Sequence, residues 1–97
     1  METVQRPQLT LIDKGNSLKT LQVKALTGMK MPPHHTTKEA VIVVQKGEAI
    51  LKMPNEDHTL KKGTVFIIPS GVNHSLEILK DFEATVIMAI DAEINFK

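Results

Sequence analysis

The stretch GTVFIIPSGVNH, Gly63 to His74, decides how the chain is read. Thr64 to Ile68 is a β-branched and aromatic run of strand length, and it reads as a buried strand. Pro69 has no amide hydrogen and stops the ladder, while Gly71 supplies the backbone freedom of a tight turn. His74 then opens a second run, Ser75 to Leu79, in which Leu76 and Ile78 share its face.

Working outward from this stretch, Gly28 is followed by MKMPP and then His34, and Gly47 closes the segment. The spacing G-x5-P-x-G-x2-H at Gly63, Pro69, Gly71 and His74 resembles the second motif of the cupin superfamily. That motif usually continues with an Asn where this chain has Ile78. Gly28, His34 and Gly47 resemble the frame of the first motif, G-x5-H-x-H-x3-4-E-x6-G. Counting back from Gly47 puts Ala40 at the glutamate position and Thr36 at the second histidine position, so two of four usual metal ligands are replaced. The chain is similar to a small single-domain cupin of the RmlC-like type with a degenerate first motif. The resemblance implies an all-β fold, a single-domain cupin β-barrel or double-stranded β-helix (jelly roll), over residues 1–97 with its core at about 18–90.

Length and composition set the bounds. Ninety-seven residues make one domain, and 41% hydrophobic with 24% charged residues is the balance of an ordinary soluble globule. A net charge of +1 argues for neither nucleic acid nor an anionic membrane as partner. With no Cys there are no disulfides, thiolate nucleophiles or cysteine-held zinc. METVQRPQ has no apolar core and is no signal peptide, and the longest apolar run, Ala40 to Val44, is too short to span a bilayer. The expected location is cytoplasmic.

In chain order, Met1 to Gln8 reads as an extended or frayed lead-in and Leu9 to Asp13 as a short edge strand. Ser17 to Thr27 fits either a capped helix or an alternating strand; the cupin resemblance selects the strand. Pro32-Pro33 enforces an extended backbone before His34. Ala40 to Gln45 is apolar on both faces, as expected of a strand covered on both sides. Lys46-Gly47-Glu48, Pro54 to Asp57 and Lys80-Asp81 read as turns, and Ala84 to Ile90 as the last strong strand. Twenty-six β-branched residues and regularly spaced turn signals agree with an all-β barrel or sandwich.

Strand parity then organises the chemistry. If His34 points inward, as the first ligand of the family does, Thr36 and Ala40 share its side, and His35 and Glu39 lie on the other. The expected pocket is lined by His34, Thr36, Ala40, Ile42, Val44, Leu51, His74, Leu76, Ile78 and Met88, with Met53 as a further candidate. It is methyl-rich, marked by two histidines, and suited to a small, mostly apolar molecule. The resemblance also implies a divalent metal (zinc, iron, manganese or nickel). His34 and His74 would ligate it, and His35 or Glu39 would complete the set if the segment after Pro33 bulges. A metal-free cavity with two hydrogen-bonded neutral histidines is the alternative. His58 falls in a polar turn and reads as solvent-facing, and the Met residues at 29, 31, 53 and 88 as core filler.

Two functions follow. One is a cupin that binds a small molecule in its barrel. The other is a metal-dependent dioxygenase or isomerase. The His–Tyr chemistry of some cupin epimerases is excluded in its usual form, because the chain has no Tyr. No helical DNA-binding half or basic patch points to direct DNA regulation. A homodimer is expected through the two-sided strand Ala40 to Val44 and the edge strand Leu9 to Asp13.

Overall fold

Alternating apolar residues and Pro/Gly-marked turns produce eight strands, and no helix among the described residues. The strands are β1 (Gln8–Lys14), β2 (Leu18–Ala25), β3 (Lys30–Thr36), β4 (Ala40–Lys52), β5 (Asp57–Lys61), β6 (Val65–Ile68), β7 (His74–Ala89) and β8 (Ile94–Phe96). The computed structural model describes residues 7–96, so most of the lead-in expected over Met1 to Gln8 lies outside the described residues. Gln8 itself already pairs with Lys24 in β1.

All pairings are antiparallel, and two long strands organise them. The first half of β7 pairs with β3 and with the second half of β4. The second half of β7 pairs with β2 and with the first half of β4. One hydrogen-bonded sheet therefore folds over itself into two layers, β1-β2-β7-β4-β6 and β8-β3-β7-β4-β5. This is a jelly roll in which β4 and β7 run through both layers.

Two segments that read as turns are corners inside these strands. β4 continues through Lys46-Gly47-Glu48 with register shifts between Val44 and Ala49, and β7 continues through Lys80-Asp81. Bulges turn a strand from one layer to the next without ending it. Gly47 has φ of 84°, and a Cβ there would overlap the Asp81 carbonyl oxygen. The two corners are thus pressed backbone to backbone.

The strand over Thr64 to Ile68 begins at Val65 and is not buried: Val65 is 64% and Ile67 58% exposed, while Ile68 packs inward. β6 is an edge strand of the β1-β2-β7-β4-β6 layer, so alternate residues face out. The ambiguous segment is strand β2 over Leu18–Ala25, and β1 is an edge strand. The core between the layers holds Val23, Ile42, Leu51, Leu60, Ile78 and Phe82, each at most 2% exposed. Among the described residues no helix is long and apolar enough to cross a membrane.

Candidate functional site

His34 and His74 reach one point from sequence positions forty apart because their strands pair there. They are direct partners in the β3–β7 ladder, and their rings lie 4.3 Å apart between centroids, edge to face at 66°. Pro32 and Pro33 create the irregularity that turns His34 inward. The register slips between Met31 and His34, so Met31 and His34 are both buried although an odd number of residues apart. On the other side, the turn after β6 is tied to β3: the Gly71 amide donates to the Thr36 carbonyl at 2.8 Å, with Gly71 at φ of 73°, and the Ser70 hydroxyl donates to the Thr37 carbonyl at 2.9 Å.

Each imidazole is locked by its own chain. The Nδ1–H of His34 donates to the Pro32 carbonyl at 2.7 Å, and that of His74 to the Val72 carbonyl at 2.9 Å. A carbonyl only accepts, so Nδ1 carries the proton in both rings. Burial drives both imidazoles below their ordinary pKa of 6.5, against the raising effect of those carbonyl bonds; the charges of His74 and His35 lower His34 further, and that of His35 lowers His74. In the neutral rings Nε2 is left as a lone-pair acceptor. Thr36, 4% exposed, has a buried hydroxyl with no partner among the described residues.

The three polar groups open on a cavity of about 40 Å³ whose remaining wall is apolar. Of the residues expected to line it, His34, Thr36, Ala40, Ile42, Leu51, His74, Leu76 and Met88 do so. Val44, Ile78 and Met53 do not. The cavity takes both ends of β4 and β7, whereas Val44 and Ile78 lie toward their corners, with Ile78 bonded to the Gly28–Met29 turn. Parity gives the face of a strand but not the height along the barrel axis. Val86, two residues before Met88, was findable from parity; Met31 was hidden by the Pro-Pro slip. Leu9 and Ile94, which partly close the mouth, come from β1 and β8, which no motif marks. Phe96 covers His34 at 4.9 Å between ring centroids.

The expected metal set does not assemble. The irregularity in β3 precedes His34 and does not follow it, so His35 stays on the opposite face, opposite Asn95, and Glu39 is exposed before β4. Among the described residues no group of three His, Cys, Asp or Glu side chains converges as a metal site. A resident catalytic metal normally takes three protein ligands, and a threonine hydroxyl is not one of the usual donors. Two imidazoles and a hydroxyl therefore do not fit such a centre. His58 also departs from expectation: it lies in β5 with its side chain 32% exposed, its ring 4.6 Å from that of Phe66 and its Nε2 3.3 Å from a Glu56 carboxylate oxygen. A larger hollow of about 330 Å³ lies by the corners, among Lys24, Lys46, Asp81 and Glu83. Asp81 there is already engaged by the Thr27 amide and hydroxyl, and among the described residues the hollow has no buried polar group without a partner.

The depressed histidines make stability fall with acid. Above pH 6.5 both are neutral whether the chain is folded or unfolded; below it the unfolded chain binds protons first, and stability drops until the folded pKa values are passed. Thermal unfolding is expected at lower temperature near pH 5.5 than near pH 7.5, with a loss of at most about 1.4 kcal/mol per pH unit per histidine. The His34→Gln/His74→Gln double variant is expected to show a flatter profile. Glu77, Asp81 and Asp91, held low by Lys52, the Thr27 amide and Lys38 respectively, titrate below this window.

A curled two-layer antiparallel sheet of this topology is a double-stranded β-helix. A family model described as Cupin domain matches residues 22–90, and the chain belongs to that family. Among solved structures, a cupin-2 domain containing protein from Shewanella frigidimarina is 20% identical with a TM-score of 0.76, covering 90% of this chain and 84% of that one. The DMSP lyase DddQ from Ruegeria pomeroyi is 22% identical with a TM-score of 0.83, covering 95% of this chain and 52% of that one, so the match spans about half of the lyase. KdgF from a Halomonas species is 20% identical with a TM-score of 0.76, covering 92% and 84%. At these identities the likeness concerns the fold alone. A search of curated proteins by sequence finds no match.

Proposed function

We propose that the protein binds a compact, mostly apolar small molecule that carries a hydrogen-bond donor, gripped at the mouth of the barrel. The observation that carries this is the convergence of three buried polar side chains, His34, Thr36 and His74, on an otherwise apolar wall. Two Nε2 lone pairs accept, and the Thr36 hydroxyl donates or accepts; an unpaired buried hydroxyl costs about 1–3 kcal/mol, which a ligand or water removes. The molecule this set prefers offers hydroxyl or N–H donors from a small hydrocarbon body.

At about 40 Å³ the cavity holds a water or a small functional group, well below the roughly 300 Å³ at which sites for drug-sized ligands begin. A larger body enters by displacing Leu9 and Ile94. Both lie on edge strands: among the described residues β1 pairs with β2 alone and β8 with β3 alone. The same three groups also suit proton transfer to or from the bound molecule, but among the described residues no third acid–base side chain lines the cavity with them. Binding is therefore the reading that the geometry supports best.

The test is a matched panel followed by NMR: phenol and cyclohexanol against toluene and methylcyclohexane. The hydroxylated members are expected to bind more tightly and to perturb the His34 and His74 ring signals, with affinity reduced about tenfold by either His→Leu change. Equal binding of the hydrocarbons, or perturbation confined to the hollow beside Lys46, would refute the reading.

A further inference from the structure

The acceptors in the cavity come as a pair, and that pairing restricts the ligand more than the apolar wall does. His34 and His74 each commit Nδ1–H to a backbone carbonyl, at 2.7 Å and 2.9 Å, so each offers a ligand a lone pair on Nε2 and no hydrogen. Their rings lie 4.3 Å apart between centroids on paired strands. Two acceptors cannot bond each other, so the pair is satisfied by a group that donates twice. A proton shared by the rings is disfavoured, because burial works against charge on either one. Water donates twice and fits a cavity of about 40 Å³. A ligand that displaces water with a hydroxyl supplies one hydrogen and leaves one Nε2 buried without a partner, which costs affinity.

We infer that the ligand meets the two histidines through an uncharged NH2 group, which places arylamines ahead of alcohols and phenols as the class this site takes. The inference rests on the binding reading above and narrows it. The two hydrogens go one to each Nε2, and bonds of about 2.9–3.0 Å from one nitrogen span rings 4.3 Å apart. The Thr36 hydroxyl, buried and without a partner among the described residues, remains to donate to the nitrogen lone pair. The wall selects against charge. Apart from His34, Thr36 and His74 the lining is apolar, with no carboxylate among the described residues, so an alkylammonium would be buried without a counter-ion. Arylamines are uncharged near neutral pH, and their hydrocarbon body suits a mouth closed by Leu9 and Ile94.

Titration of aniline, phenol and toluene into the native protein, His34→Leu and His74→Leu at neutral pH tests this. N–H and O–H differ in intrinsic donor strength, so the quantity read is how the preference for aniline over phenol changes between proteins. Phenol turns its one hydrogen to the surviving ring and loses the tenfold given above, whereas aniline is also left with an unpaired N–H. The preference for aniline is therefore expected to fall about a further tenfold in each variant. A preference that survives either change overturns the inference, while the binding reading stands as long as both ligands outbind toluene. Toluene bound as tightly as aniline and phenol would refute the binding reading and this inference with it. Should the variants not fold, nitrogen NMR of the native protein decides: aniline is expected to shift the Nε2 resonances of both histidines, and a shift confined to one ring overturns the inference.

Discussion

Gly47→Ala is expected to destabilise the protein by roughly 2–5 kcal/mol, combining a left-handed backbone strain of about 1–2 kcal/mol with overpacking of about 1–3 kcal/mol. Against a typical total of about 5–15 kcal/mol, this is enough to leave a marginal fold. The cause is specific to the corner. Gly47 sits at φ of 84°, and a methyl group there meets the Asp81 carbonyl oxygen and lies 2.8 Å from that of Lys80. These obstacles are backbone atoms of β7 and have no side-chain freedom with which to move aside. Gly28 and Gly63 also have positive φ, but their Cβ positions are open. Gly63→Ala therefore isolates the conformational part, and chemical denaturation of both variants separates it from the steric part. Equal losses for the two would contradict the corner contact.

Phe82→Ala is expected to cost about 3–5 kcal/mol. Of the three phenylalanines only Phe82 is fully buried, at 1% exposure; Phe66 is half-buried and Phe96 is 50% exposed. Phe82 belongs to the core at the corner of β7, opposite Ala25 in the ladder, where the neighbouring side chain is too small to fill a void. Phe96→Ala, by comparison, removes a half-solvated ring over His34 and is expected to cost far less. Urea unfolding of the pair checks the ordering, and a smaller loss for Phe82 than for Phe96 would contradict the assignment of the core.

The legibility of the fold follows from which features are local. Pro69 and Gly71 announce a turn by their own backbone chemistry, and the turn then places His74. Alternation in Ala40 to Val44 reports its two faces directly. Gly47 and Asp81 are different. As a local signal Lys46-Gly47-Glu48 resembles a hairpin turn, and only the contact with β7, thirty-four residues away, shows it to be a corner in a strand that continues. The site divides in the same way. The inward side of His34, Thr36 and His74 was readable from motif and parity. The Pro32-Pro33 slip was not, and it is what keeps His35 out of the cavity. The closure by Leu9 and Ile94 depends on where β1 and β8 end up against the barrel mouth, which no local pattern encodes.

The central claim is that two neutral imidazoles, each protonated on Nδ1, face one another across the top of the barrel and leave two acceptor nitrogens for a ligand. The direct measurement is the long-range proton–nitrogen correlation spectrum of the histidine rings near pH 7.5, together with ring-to-ring nuclear Overhauser contacts. Both rings are expected to show the Nδ1–H tautomer, with contacts between His34 and His74. Rings protonated on Nε2, or carrying two protons, or lacking any mutual contact, would contradict it.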